Sequence, residues 1–300
     1  MALTNWSQQL LEGYNNAMST ADNRVSDFMV DTPWPTLGLS LAYFVFVTKL
    51  GPAFMKNREP YNIKPLLVIY NFSMVFLSAY MAIEMGASGW FSHYKFFGCE
   101  PVDRSMSPKG LRMINVIWWF WISKLIELLD TVFFILRKKF SHVTFLHVVH
   151  HGFLPFSYWA GVKYAAGGFG TFHCMLNAFV HTVMYIYYGI AALGPQYHKY
   201  LWWKKSVTVL QMVQFVIVVF HCAQALLTKD CKYSYNFIYA IGAYSVFFLV
   251  LFANYYRHAY LSKTKKATEK GEKTKSHQNG RIMTRNGYKS HAKNGHYHQE

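Results

Sequence analysis

Long apolar runs, rather than strict alternation or short amphipathic stretches, organise this chain. A run of about twenty apolar residues is what a helix needs to cross a bilayer. Seven such spans are expected. They run roughly from Trp34 to Phe54, Pro65 to Met85, Leu111 to Leu136, a histidine-bearing stretch ending near Lys163, Phe169 to Gly189, Ser206 to Leu227, and Tyr235 to Tyr256. Gly194-Pro195 punctuates the boundary after the fifth. The pattern predicts an all-α polytopic membrane protein in three parts: residues 1–32 as an exposed N-terminal tail, 33–258 as the seven-helix body, and 259–300 as a basic tail. Beyond Ser262 there are almost no large aliphatic residues, so that end cannot bury a core and is expected to be disordered.

Composition agrees, since 53% of the residues are hydrophobic and only 15% charged. The formal charge of +16 does not point to nucleic acid, because the cations cluster between the apolar runs and in the tail, where anionic lipid head groups or an anionic cofactor would meet them. Dense Lys/Arg clusters follow the first, third, fifth and seventh spans, which places those loops in the cytosol and the N-terminus in the lumen. The first thirty residues lack the apolar core of a cleaved signal peptide and are expected to be retained. In a lumenal tail, Asn5-Trp6-Ser7 would be an N-glycosylation acceptor. The same topology puts Cys99 and Cys231 on the lumenal side, where a disulfide can persist, while Cys174 and Cys222 fall inside spans. No CxxC occurs, which argues against a zinc ribbon.

Chemistry concentrates at Phe145-Leu-His-Val-Val-His-His-Gly152, where His147, His150 and His151 stand in an otherwise apolar segment. On a helix, spacings of three and four bring at least two of these imidazoles to one face, and polar groups at bilayer depth normally face a cavity or a partner. Lys124, Glu127 and Asp130 lie three apart in the third span; the first two suit a buried ion pair, and Asp130, nearest the histidines, suits an imidazole-orienting role. Asn177, His181 and Tyr185 recur at four-residue spacing and continue into Tyr187 and Tyr188, while Gln211, Gln214 and His221 share a side of the sixth span. Two chemistries suit such an inventory. A di-iron centre of the membrane desaturase or hydroxylase kind draws about eight imidazoles from several histidine boxes. This chain has one HxxHH with scattered His173, His181 and His221, so no metal is expected and acid, base or nucleophilic work by imidazole fits better.

Lys124-Leu-Ile-Glu-Leu-Leu-Asp-Thr131, His147-Val-Val-His-His151, Asn177-Ala-Phe-Val-His-Thr-Val-Met-Tyr185 with Tyr187-Tyr188, and Thr208-Val-Leu-Gln-Met-Val-Gln214 resemble, in order, the signature boxes of the very-long-chain fatty acid elongase family. Pro33-Trp34-Pro35-Thr36, Arg58-Glu59-Pro60 and Leu201-Trp202-Trp203-Lys204 extend the resemblance, which covers about Asp31 to Arg257. It implies a 3-oxoacyl-CoA synthase of the endoplasmic reticulum that condenses acyl-CoA with malonyl-CoA, releases carbon dioxide and CoA, and binds no cofactor. Six later spans would form a barrel-like bundle around an acyl channel closed toward the lumen, with CoA at the cytosolic mouth. His150 matches the nucleophile of a ping-pong scheme, and His181 would assist decarboxylation or hold the enolate. His147, His151, Asp130 and Asn177 would fix tautomers and donate hydrogen bonds to the oxyanion.

CoA phosphates would take charge-assisted donors from Arg137, Lys138, Lys139, Lys204, Lys205 and Arg257. Lys124, Glu127, Tyr185, Tyr187, Tyr188, Gln211 and Gln214 would serve substrate binding. Implied partners are membrane lipids, the ketoreductase, dehydratase and enoyl reductase of the elongation cycle, and a second copy of the chain. A His-box di-iron oxygenase and a lipid transporter remain the alternatives. The chain finishes His296-Tyr-His-Gln-Glu300 without a lysine-based retrieval signal, so retention is expected to come from elsewhere.

Overall fold

The computed structural model describes residues 2–261, with side chains from Trp6 onward. Among the described residues all regular structure is helical. Helix α1 spans Ala2–Ser19. The first membrane helix, Trp34–Met55, is built from α2 (Trp34–Val45), a widened π turn and α3 (Gly51–Met55). Then follow α4 (Lys64–Met85), α5 (Pro108–Ile126), α6 (Leu128–Leu136), α7 (Phe145–Tyr164), α8 (Thr171–Leu193), α9 (Lys204–Leu227) and α10 (Tyr235–Tyr256).

Every expected span is helical, but five helices are long and apolar enough to cross a membrane by length and composition: Trp34–Met55, Lys64–Trp90, Gly168–Leu193, Lys204–Leu227 and Tyr235–Leu261. The other two are the chemistry-bearing ones. The third span is interrupted by a turn at Glu127 and carries Lys109, Arg112 and Lys124 in α5, and the histidines dilute the apolar character of α7. Local signals still start both helices. Ser107 accepts from the Gly110 N–H at 3.0 Å with Pro108 at the first helical position, and Thr144 accepts from the His147 N–H at 3.2 Å. Pro155 lies inside α7, and its carbonyl accepts from Trp121 Nε1 at 3.0 Å, so an indole of α5 is tied to this part of the helix.

Helix α8 packs along α4 and also meets α5 and α9, while α7 lies between α2 and α5. The largest core cluster is built from Met85, Trp90, Phe120, Trp121, Trp159 and Ala178 with their neighbours. Gly152 is needed where α7 meets α2, because a Cβ there would overlap the Phe44 ring. The end of the bundle away from the start of α7 is tied off by loops. Cys99 and Cys231 are joined with Cα atoms 5.3 Å apart, and Gln224 accepts from the Gly98 N–H and donates to the Gly98 carbonyl, at 2.9 and 2.8 Å.

The N-terminal segment is largely exposed along α1, but the stretch that follows packs against the body. After α1 the chain docks on this closed end: the Asp22 N–H donates to the Lys163 carbonyl at 2.7 Å, Trp159 Nε1 donates to the Val30 carbonyl at 3.0 Å, and Val30 is fully buried. Its polarity hides this because the polar groups find partners at the junction: Arg24 grips Asp22, and Arg104, from the loop before α5, donates to the carbonyls of Thr20 and Tyr164. The chain divides into two units after Phe252, and of the second the described residues are 253–261. Arg257 opens a short π-helical segment, Arg257–Leu261, in the second. The tail from 262 onward and the Asn5 side chain lie outside the described residues.

Candidate active site

The polar residues of the third and fifth spans meet as a ladder. Lys124 Nζ lies 2.8 Å from Glu127 Oε1 and 3.0 Å from Asn177 Oδ1. The same Glu127 oxygen lies 3.1 Å from His181 Nδ1, and one turn further the Tyr185 hydroxyl donates to Asp130 Oδ2 at 2.8 Å. Residues at spacing three on the α5–α6 side thus match residues at spacing four on α8. Lys124 and Glu127 are each 1% exposed, so the pair is dry and each charge depends on the other. A carboxylate accepting at Nδ1 makes that nitrogen the N–H and leaves Nε2 of His181 to meet another group.

This corrects one expectation. Asp130 does not orient an imidazole; it accepts from Tyr185, because Glu127, one turn earlier, is the carboxylate level with His181. His147 is held instead by Thr131, whose Oγ1 lies 2.9 Å from His147 Nε2. The box imidazoles also pack on one another: the His147 and His151 rings are tilted with centroids 4.2 Å apart, and His150 and His151 meet edge to face at 5.2 Å. His150 also meets the Phe248 ring of α10 at 5.0 Å. His151 is buried with Nδ1 unpaired.

His150 opens onto a cavity of about 330 Å³ between α7, α8, α9 and α10. That size is ordinary for a small-molecule site. Asn177 and Gln214 share the wall at the His150 level, and Val218, Phe237, Ile241 and Tyr233 continue it toward the disulfide end. From His150 the wall follows α7 to Ala165, just past its end, about 22 Å at helical rise. Lys124, Glu127 and Tyr185 are not part of this wall, which corrects their expected place along the substrate path; Lys124 supports it through Asn177, and His181, paired with Glu127, also stands outside the lining. Gln211 faces Met184, and His221 is enclosed by Phe169, Phe172 and Trp90, so neither shares the cavity with Gln214. Tyr187 packs on Trp203, and Tyr188 on Tyr185.

At the start of α7 the cations converge. His142, in the turn between α6 and α7, is pushed below its usual value of 6.5 by burial and by the charges of Lys204, Lys139 and Arg137. Two loops far apart in sequence therefore bring their positive charges to one place. Lys138 holds a left-handed backbone and donates to the Lys56 carbonyl at 3.4 Å, and Lys205 follows Lys204 in the first turn of α9. Sequence reasoning singled out neither Thr131, which meets His147, nor Tyr233, which lines the cavity. Thr131 stood inside a recognised box, but nothing in the spacing assigned its hydroxyl to His147.

A multi-pass helical membrane protein with an intramembrane imidazole–carboxylate site beside an apolar cavity is the class these features define. The chain belongs to the family described as ELO: GNS1/SUR4 family, which matches residues 28–268. It is 47% identical over 262 residues to very long chain fatty acid elongase 7 of Rattus norvegicus, covering 87% of this chain and 93% of that one. It is 47% identical over 249 residues to elongase 1 of Homo sapiens, covering 82% and 89%. To elongase 4 of Macaca mulatta it is 42% identical over 261 residues, covering 87% and 82%.

Proposed function

We propose that this chain is the condensing enzyme of very-long-chain fatty acid elongation, joining acyl-CoA to malonyl-CoA to give a 3-oxoacyl-CoA two carbons longer, carbon dioxide and CoA. The observation that carries this reading is His150, a histidine-box imidazole on the wall of a narrow, mostly apolar cavity whose other end is tied off by a disulfide-held loop. The family match and relatives carrying the elongase name support it.

A His150 ring nitrogen attacks the thioester carbonyl, the C–S bond breaks, and CoA leaves as a thiolate that takes up a proton. Loss of carbon dioxide from malonyl-CoA then leaves an enolate. Its carbon attacks the acyl-imidazole, the C–N bond breaks, and the imidazole is restored. His181, held by Glu127 at Nδ1, presents Nε2 to the malonyl group or the enolate; Asn177 helps stabilise the oxyanion. The acyl tail lies along the cavity toward Tyr233, and the phosphates of CoA meet Arg137, Lys139 and Lys204. In this reading the histidine end faces the cytosol, the disulfide end and N-terminus face the lumen of the endoplasmic reticulum, and the ketoreductase, dehydratase and enoyl reductase act on the product.

The test is an acyl-CoA panel with labelled malonyl-CoA and the purified chain. Labelled 3-oxoacyl-CoA is expected. Acyl-CoA alone should release free CoA and leave an acyl group on His150 by mass spectrometry, and His150→Ala should lose adduct and turnover together. A strict need for iron, reductant and oxygen would mean an oxygenase, and lipid movement without a new carbon bond would mean a transporter.

A further inference from the structure

One buried hydrogen-bond chain reaches the histidine box from the first membrane helix, which no step above uses. The Tyr43 hydroxyl on α2 lies 2.8 Å from Thr131 Oγ1 on α6, and that oxygen lies 2.9 Å from His147 Nε2 on α7. Tyr43 is 5% exposed and Thr131 0%, so bulk water does not compete along the chain. Burial gives the chain a direction. Among the described residues the Tyr43 hydroxyl has Thr131 as its hydrogen-bond partner and no other, and a phenolic proton left without an acceptor in a dry site is costly. The order that gives both hydroxyl protons an acceptor is Tyr43 to Thr131 and Thr131 to His147 Nε2. A neutral His147 accepting at Nε2 carries its proton on Nδ1.

The consequence spreads through ring packing. His147 lies against His151 at 4.2 Å, and His151 against His150 at 5.2 Å, so the orientation of the first imidazole bears on the second and third. The chain is also rigidly placed: the Phe44 ring, next to Tyr43, fills the space where Gly152, next to His151, lacks a side chain. We propose that Tyr43 and Thr131 form a positioning relay that fixes the tautomer and orientation of His147, which makes α2 a working part of the active site and not only a membrane anchor. The inference rests on the elongase reading for its assay, and on geometry alone for its residues.

The experiment compares kcat and KM for acyl-CoA, with malonyl-CoA saturating, in the full chain carrying Tyr43→Phe, Thr131→Val, Thr131→Ser, or Tyr43→Phe with Thr131→Val. Tyr43→Phe keeps the ring and removes one oxygen. It should lower kcat about tenfold, the scale on which residues that orient a working imidazole act, and leave KM within about twofold. Thr131→Val should do the same, Thr131→Ser should restore turnover, and the double variant should be no worse than Thr131→Val, because both act through one chain. Unchanged kcat in Tyr43→Phe, or losses that multiply in the double variant, would overturn the relay. Absence of condensation in the unaltered chain would instead sink the elongase reading, so the two failures are distinguishable.

Discussion

At the scale of single residues, Glu127 matters more than its neighbour three positions on. One of its oxygens faces both Lys124 and His181, so its charge holds an ammonium and fixes an imidazole at once. In Glu127→Gln the side chain keeps its shape, but Lys124 becomes an uncompensated buried cation. Breaking such a pair costs roughly 3–5 kcal/mol, and turnover should fall at least tenfold. Tyr185→Phe removes only the hydroxyl that donates to Asp130, so about 1–3 kcal/mol of stability and a few-fold in turnover are expected. Thermal melts and kcat of the two variants side by side check the ranking; equal losses would mean that Glu127 matters no more than Asp130.

At the scale of elements, the cavity is bounded by how closely the α8 start approaches the loop before α10. Gly170 has no side chain because a Cβ there would overlap the Tyr233 hydroxyl, and Tyr233 is buried against the Phe169 ring at 5.5 Å. Tyr233 sits two residues from Cys231, whose disulfide to Cys99 pins the loop. Tyr233 lines this end of the cavity, and in the proposed elongase reading it is the floor toward which the acyl tail grows. Tyr233→Ala should raise the upper limit of product length by one or more two-carbon steps, with shorter acyl-CoA still accepted. Product distributions from a graded acyl-CoA series give the answer, and an unchanged limit would place the floor elsewhere.

For the whole molecule, the closed end depends on charge pairing outside the membrane. Burial pushes the Asp22 carboxyl up, but the Arg24 side-chain and backbone hydrogen bonds and the charges of Arg24 and Arg104 outweigh it and hold it below its usual 3.8. Asp103 is likewise lowered, its hydrogen bonds to Ser105 and Ser107 outweighing burial. A carboxylate whose folded value is depressed contributes stability that is complete above the unfolded value and is lost as pH falls through the folded one. The melting temperature should therefore be insensitive to these groups from pH 7 to about 5 and fall below about 4. Asp22→Asn should cost about 1–3 kcal/mol of stability above pH 5, seen as a lower melting temperature there, and weaken the acid dependence. An acid limb identical in Asp22→Asn would show that other carboxylates set it.

The sequence by itself determined the helical membrane architecture, the family boxes and the two faces that carry chemistry, because bilayer length and helical periodicity are written into the order of residues. The Asn177, His181 and Tyr185 stripe and the histidine face were legible for that reason. Tertiary structure decided the pairings between helices. The offset that sets Glu127 level with His181, and Asp130 with Tyr185, depends on the relative height of α5–α6 and α8, which no spacing within one helix contains. The same holds for Thr131 reaching His147, for His221 leaving the cavity for an aromatic enclosure, and for a polar N-terminal segment docking through its backbone. A sequence records which groups share a face; packing decides which group on another helix each one meets.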